Sequence, residues 1–242
     1  MRIGIFSDVH ANLEALEAVL DFLRTQGATR FICCGDIVGY GPDPAACIEL
    51  VRSLRGPVVA GNHDRGVLGR VAAADFNRAA REALSWTARQ LADDDLAYLD
   101  SLPLVDRFDI LHLVHSSPSA PERWDYVFTV QDAGEEMSFF ETCVCVIGHS
   151  HYPFIVERRQ TELPRLVGNY STELRPNAKY VINAGSVGQP RDGDPRACCL
   201  VFDTDARAIS FHRVDYNIPK VQAKILRAGL PEFLATRLSL GR

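Results

Sequence analysis

The sequence predicts an α/β fold in which outer helices cover two β-sheets packed together. Three observations carry this. The first half alternates apolar runs with amphipathic helical segments, the second half is richer in strands, and five apolar runs each end in a short polar motif. These runs have the length and β-branched content of buried strands.

In order, a strand over Arg2–Phe6 leads to a helix from about Leu13 to Arg24, with Asn12 as its N-cap. Leu13, Leu16, Leu20 and Leu23 share one face of that helix, and Gly27 ends it. Strand Phe31–Cys34 follows, then a turn through Gly39-Tyr40-Gly41-Pro42. A helix from about Pro44 to Leu54 takes its proline in the first turn. Strand Pro57–Ala60 and a helical region from about Phe76 to Ser101 complete the first half. Asp93-Asp94-Asp95 reads as a helix N-terminus, where acidic residues complement the dipole. Further strands are expected at Ile110–Val114, Val144–Ile147, Phe154–Glu157, Leu163–Val167, Tyr180–Asn183, Cys198–Phe202 and Ala208–Arg213. The polar stretch Arg158–Lys179 is expected to hold a hairpin and exposed loops. The whole chain, 1–242, reads as one domain: a core over about 1–215 and a helical extension over about 216–242, broken by Gly229-Leu230-Pro231.

Composition excludes several functions. No apolar stretch reaches membrane-spanning length, so no membrane partner is expected. Met1-Arg2-Ile3-Gly4-Ile5 runs straight into the first motif, leaving no room for a signal peptide, so a cytoplasmic location is expected. The seven cysteines then read as reduced, buried thiols; a zinc site would want paired CxxC-type spacing, which is missing. A net charge of −5 argues against a nucleic-acid polymer as partner, which needs a basic footprint. It leaves room for a small phosphorylated substrate, because bound cations reverse the local field.

The motifs carry the chemistry. Asp8-Val9-His10, Gly35-Asp36, Gly61-Asn62-His63-Asp64, His115 and Gly148-His149-Ser150-His151 each follow an apolar run. Ligands in open α/β sheets gather at the carboxyl ends of strands. If the backbone stays extended, Asp8 and His10 point the same way with Cα atoms about 6.6 Å apart. Asp36 has two oxygens with which to bridge two ions, and Asn62 offers a neutral amide oxygen. With His115, His149 and His151 the set is mixed oxygen and imidazole, which suits two divalent ions of Mn, Fe, Zn, Ni or Co. Two such ions against two carboxylates and one hydroxide keep a net charge of about +1 to hold a phosphate. His63 next to Asp64 suits proton donation to a departing alkoxide. Alone, each motif is more often a turn or a capped helix start; in order, each at a strand end, they point to one centre. His112 and His212 read as packing or surface residues.

These residues resemble the calcineurin-like metallophosphoesterases, in order, spacing and strand-end context. The stretches Asp8–Leu16 and Asn183–Gly193 are similar to those of small prokaryotic phosphodiesterase-like members, and the resemblance covers residues 1 to about 203. It implies a four-layer α/β/β/α sandwich of two mixed sheets flanked by helices. It implies Asp8, His10, Asp36 and His151 around one metal, manganese among the candidates, with Asp36, Asn62, His115 and His149 around the other. It implies His63 as proton donor, oriented by Asp64. The chain departs from the related Ser/Thr phosphatases, whose Gly-Asp-x-x-Asp-Arg-Gly is here Gly35-Asp36-Ile37-Val38-Gly39-Tyr40-Gly41. The arginine those enzymes place on phosphate is missing there; Arg65 or Arg191 is the candidate substitute. Asn12 and Tyr40 are further candidate substrate contacts, with turn roles as the competing reading. Gly185-Ser186-Val187-Gly188 reads either as a nest of backbone donors or as a tight turn.

The expected activity is therefore metal-dependent phosphoric ester hydrolysis by a metal-held hydroxide, a phosphodiester favoured. A phosphomonoesterase and a nucleotide-pyrophosphate (dinucleoside polyphosphate) hydrolase are the enzymatic alternatives. A metal-binding interaction module on the same fold, like the related retromer subunit, is the non-enzymatic one.

Overall fold

The structure is a computed structural model and describes residues 1–160, 162–168 and 170–242. The chain runs β1 (Arg2–Phe6), α1 (Leu13–Thr25), β2 (Ala28–Cys33), α2 (Pro44–Ser53), α3 (Asn62–Val67), α4 (Arg78–Ala88), α5 (Asp93–Ser101), β3 (Val105–Phe108), β4 (Leu111–Val114) and α6 (Val130–Glu136). It continues through β5 (Val144–Ile147), β6 (Phe154–Arg159), β7 (Arg165–Gly168), β8 (Ser171–Glu173), β9 (Ala178–Asn183), β10 (Ala197–Asp203) and β11 (Ala208–Val214), then α7 (Ile218–Arg227) and α8 (Glu232–Thr236).

Two mixed sheets result, ordered β2-β1-β10-β11-β8 and β3-β4-β5-β9-β6-β7. Strands β1 and β2 are parallel, as are β4, β5 and β9, so their carboxyl ends open on a shared side. Side chains alternate between layers as the pleat requires. Ile3, Ile5, Leu111, Leu113, Val144, Val146, Tyr180 and Ile182 fill the space between the sheets. Cys145, Ile147 and Val181 face Ala133 and Met137 on the α6 side. Leu16, Leu20 and Leu23 of α1 cover the other sheet. Gly4 permits that approach: a Cβ there would sit 2.7 Å from Leu23 Cδ1. The order helix, sheet, sheet, helix is the four-layer sandwich expected.

The C-terminal helices pack on the core. Val221, Ile225, Leu234 and Leu238 join Tyr40, Phe76 and Leu84 in one apolar cluster. Lys224 pairs with Glu14 and Asp43, fastening α7 to α1 and to the loop before α2.

The structure differs from the sequence reading in several places. Pro57–Ala60 makes only an isolated bridge to β2 through Val58. Pro57 has no N–H to give, and the Ala60 N–H turns away to the Pro103 carbonyl at 2.8 Å. The helical region 76–101 is two helices, α4 and α5. Asp95 accepts the Ala92 N–H at 3.0 Å, so the acidic run does begin a helix. Within Arg158–Lys179 the expected hairpin is formed by β6 and β7, antiparallel with Glu157 opposite Arg165, while β8 joins the other sheet; residues 161 and 169 lie outside the described residues. Among the described residues no helix is long and apolar enough to cross a membrane. All seven cysteines are free, and all but Cys143 are buried.

Candidate metal centre

Four of the five motifs leave a strand within one to four residues, Asn62 instead opening α3, and the backbone at most of them is unusual. Asp8, His10, Asp36, His149 and His151 all have positive φ, between 48° and 67°. The extended geometry expected for Asp8-x-His10 is therefore wrong. A left-handed backbone turns these side chains inward at a cost of about 1–3 kcal/mol each, and the surrounding hydrogen bonds hold it. The Asp8 N–H donates to Gly35 O at 3.0 Å and the His10 N–H to Asp36 O at 2.9 Å, lacing the first two motif loops together.

The ligating atoms converge in three groups: Asp8 with His10 and His151, Asp36 with His115 and His149, and, joining these two, His10 with Asp36 and His63. Asp8 Oδ1 lies 3.2 Å from His151 Nε2 and 3.7 Å from His10 Nε2. Asp36 Oδ2 lies 3.3 Å from His115 Nε2 and 3.6 Å from His10 Nε2, between the groups. Asn62 sits in the first turn of α3, between Gly61, whose bare Cα packs on the Asp36 carboxylate, and His63, whose N–H donates to Asp36 Oδ1 at 2.8 Å. Asn62 Oδ1 is buried without a hydrogen-bond partner among the described residues.

Backbone carbonyls fix which nitrogen each imidazole presents. His10 Nδ1–H donates to Val38 O at 3.2 Å, His115 Nδ1–H to Cys34 O at 2.7 Å and His151 Nδ1–H to Gln189 O at 2.6 Å. His149 uses Nε2–H on Trp124 O at 2.8 Å, leaving Nδ1 for the centre. The unprotonated Nε2 atoms of His10 and His151 thus face each other at 3.1 Å. Two lone pairs at that distance repel unless something electrophilic lies beside both. His115 Nε2 is also buried and faces Asp36 Oδ2 at 3.3 Å. The donor set fits divalent ions.

The protonation states agree. Burial opposes charge on both carboxyls, yet His151 and His115 beside Asp8, and His115 and His63 beside Asp36, hold them well below the usual carboxylate range. Burial pushes His63 down to about 4 and His149 to about 3, and lowers His10 and His151 as well. His115 is the exception: burial would lower it, but Asp36 and Asp8 raise it to about 10. Ionised carboxylates with neutral His10, His149 and His151 are what a metal needs, and a cation would take the place of the His115 proton.

The remaining predicted residues divide. His63 packs among Tyr40 (ring centroids 4.4 Å apart), His10 (4.9 Å) and Phe76 (5.1 Å), over the bare Cα of Gly39. Asp64 does not orient it. Its Oδ1 accepts the N–H groups of Ile37 (2.9 Å) and Val38 (3.2 Å), its Oδ2 that of Gly61 (3.0 Å), and among the described residues no hydrogen bond joins it to the His63 ring. Asp64 ties the Asp36 loop to the start of α3; burial and Asp36 raise it to about 7. Asn12 is also a structural residue: Oδ1 caps α1 through Ala15 N–H at 3.2 Å, and Nδ2 donates to Gly188 O at 2.9 Å. Arg65 points away, donating to Asp100 and to the Leu102 carbonyl. Arg191 stands at the rim, its guanidinium 5.8 Å from the Tyr40 ring centroid and donating to Gln189 Oε1 at 2.9 Å. The Gly185–Gly188 stretch is no free anion nest: the Val187 and Gly188 N–H groups already serve Ser7 O and Asp8 O.

Sequence reasoning missed the supporting shell. Asn183 Nδ2 donates to Gly148 O (2.6 Å) and Ser150 Oγ (2.9 Å), while its Oδ1 accepts the Gly185 N–H at 2.9 Å. Ser186 Oγ donates to Asp8 O at 2.9 Å. The polar residues of Asn183–Gly193 were the available signal; the carbonyls of Cys34, Val38, Trp124 and Gln189 leave no mark in a sequence.

A helix-flanked double sheet with a buried histidine and carboxylate cluster at its strand ends is the architecture of a metallophosphoesterase. The family described as the calcineurin-like phosphoesterase superfamily domain matches residues 1–207, and the chain belongs to it. An uncharacterized protein of Methanocaldococcus jannaschii is 41% identical over 99% of this chain and 98% of its own. A crystal structure of a metallophosphoesterase from Sphaerobacter thermophilus is 43% identical, covers 100% of both chains and superposes with a TM-score of 0.88. A symmetrical bis(5'-nucleosyl)-tetraphosphatase of Photorhabdus laumondii is 24% identical over 79% of this chain and 67% of its own. The protein is thus a hydrolase of phosphoesters whose histidine and aspartate clusters could hold metal ions.

Proposed function

We propose that this protein hydrolyses a phosphodiester bond in a small phosphorylated substrate, acting in the cytoplasm with two divalent transition-metal ions drawn from Mn, Fe, Zn, Ni and Co. Asp8, His10, Asp36 and His151 hold one ion, and Asp36, Asn62, His115 and His149 the other. The observation that carries the reading is the facing pair of Nε2 atoms on His10 and His151, each ring's proton already given to a carbonyl. When bound, two such ions supply Lewis acidity at phosphoryl oxygens and a nucleophile drawn from water at neutral pH.

The chain's own residues do the rest. Asp8 and Asp36 stay ionised and His10, His149 and His151 stay neutral, so those ligands bring no competing proton; His115, raised to about 10 by Asp36 and Asp8, has to release its proton when an ion binds. Asp64 keeps the Asp36 loop docked on the first turn of α3. His63 gives a proton to the leaving oxygen; the negative charge of a phosphate beside it raises its affinity for that proton. Arg191 steadies the phosphate from the rim. With Arg65 committed to Asp100 and Leu102, this modest cation supply favours a singly charged diester over a doubly charged monoester. The core and the helices of 216–242 form one domain, because α7 and α8 bury their apolar faces on Tyr40 and α4.

A second reading, hydrolysis of a nucleotide pyrophosphate, is favoured by the relative that carries the tetraphosphatase name. Metal analysis of the purified protein, coupled to a panel of bis-aryl and mono-aryl phosphates, cyclic nucleotides and dinucleoside polyphosphates, separates the readings. A metal-loaded protein inactive on every member would leave only the interaction-module reading.

A further inference from the structure

Beside the metal centre runs a strip of aromatic rings that the chemistry so far does not use. Trp124, whose carbonyl holds His149, begins it with a left-handed backbone. Two residues on, the Tyr126 ring stacks on His149 itself, centroids 4.0 Å apart and planes within 15°. Phe128 lies nearly parallel to Tyr126 at 5.0 Å, and Tyr152, one residue past His151, sets its ring across Phe128 at 6.3 Å. Burying such rings is favourable, yet Tyr126, Phe128 and Tyr152 are 50%, 55% and 44% exposed. Other exposed apolar residues, such as Leu163 and Leu166 near the sheet edge, make no ring stack with a ligand.

We propose that Tyr126, Phe128 and Tyr152 form a stacking platform for a nucleobase, so that the phosphorylated substrate of this centre is a nucleotide. The inference rests on the phosphoesterase reading above and names its substrate class. Nearly parallel rings suit a flat heteroaromatic ring, whereas an alkyl chain would want a groove. Two ring steps from a metal ligand is the reach of a nucleoside whose phosphate sits at the ions. Charge complementarity points the same way: among the described residues Arg191 has no acidic partner, and its guanidinium lies over Tyr40, whose ring also packs on His63 and His10. An aromatic face on one side and an unneutralised guanidinium on the other match a base joined to phosphate.

The test is equilibrium binding to the manganese-loaded full chain, AMP against ribose 5-phosphate, by titration calorimetry. AMP should bind about tenfold more tightly, the lower end of what one stacked base contributes. Phe128→Ala and Tyr152→Ala should each erase most of that advantage while ribose 5-phosphate affinity and metal content stay as they were. Equal affinity for the two ligands in the unaltered protein overturns the proposal. So does a Phe128→Ala protein that changes its oligomeric state in sedimentation while keeping the AMP advantage, because the strip would then be a self-association face. The outcomes separate from those of the underlying reading. A protein that hydrolyses diesters without preferring AMP loses the platform alone; one that prefers AMP yet hydrolyses nothing in the panel loses the activity alone.

Discussion

His10 Nε2 and His151 Nε2 stand 3.1 Å apart, 141 residues apart in sequence, with each ring locked by a carbonyl so that neither can donate to the other. This pair and the Asp36 carboxylate between the two ligand groups are the features that most need a cation. Asp36→Asn should reduce bound metal to one ion or fewer and cut turnover by at least about a hundredfold. His151→Ala should lower metal content in the same way. Elemental analysis after gel filtration checks both, and full metal occupancy in Asp36→Asn would remove Asp36 as the bridge.

His63 differs from the ligands in this respect. His63→Ala should keep both ions and lower turnover by about 10²–10⁴-fold on substrates with poor leaving groups. The loss should shrink on a nitrophenyl ester, whose leaving oxygen needs no proton. An undiminished rate on the poor leaving group would reject His63 as donor.

The two arginines should separate cleanly. Arg191→Ala should reduce kcat/KM by about tenfold to a hundredfold, the usual range for a charged hydrogen bond to phosphate, with the melting temperature unchanged. Arg65→Ala should cost about 1–2 kcal/mol of stability through its lost bonds to Asp100 and Leu102, and leave KM as it was. The opposite pattern in steady-state kinetics and urea melts would exchange their roles.

Asn183 never touches a ligand atom of the centre, yet it holds Gly148, Ser150 and Gly185. Asn183→Ala strands the buried Gly148 carbonyl and Gly185 N–H. It should cost about 3 kcal/mol in stability and weaken metal affinity by about 10–100-fold. Chelator competition measures the second quantity, and an unchanged affinity would limit Asn183 to folding.

Far from the centre, Glu157 governs acid stability. It is buried and accepts from Tyr180 Oη at 2.8 Å and from Arg165 and Arg159. Burial would raise its pKa, but those donors win and lower it to about 2 from 4.5. A depressed carboxyl stabilises the fold fully above its unfolded value of about 4.5 and loses that contribution as pH falls toward about 2. With Arg165 half exposed, solvent screening leaves about 2 kcal/mol. Urea unfolding with chelator present should find Glu157→Gln weaker than the parent by that amount at neutral pH, the gap closing below about pH 4. A gap independent of pH would mean that packing, not charge, is what the substitution removes.

The strands with alternating or continuous apolar residues were legible because burial dictates their composition: Val144–Ile147 was read to the residue, and α1 within one. Short edge elements were not. β3 carries Asp106 and Arg107 among its four residues and has no fully buried member, and β8 is three residues at a sheet edge. The helix α6 has few apolar residues to set a period. In the candidate centre, the side chains predicted as ligands meet because acids and imidazoles are too costly to bury for packing alone. Asn12 caps α1 as the sequence indicates, but as candidate site residues Asn12, Asp64 and Arg65 are ambiguous, because their types suit turns, caps and ion pairs as well as catalysis. Only the positions of backbone N–H and carbonyl groups distinguish these uses, and those depend on the folded loops.

Positive φ at Asp8, His10, Asp36, His149 and His151 has a bearing on engineering. Glycine relaxes such positions, so any optimisation that rewards melting temperature alone will tend to place glycine where a chelating side chain now stands. Thermal selection and the retention of metal pull in opposite directions at the same five sites, and a screen for hardier variants of this chain has to count ions as well as degrees.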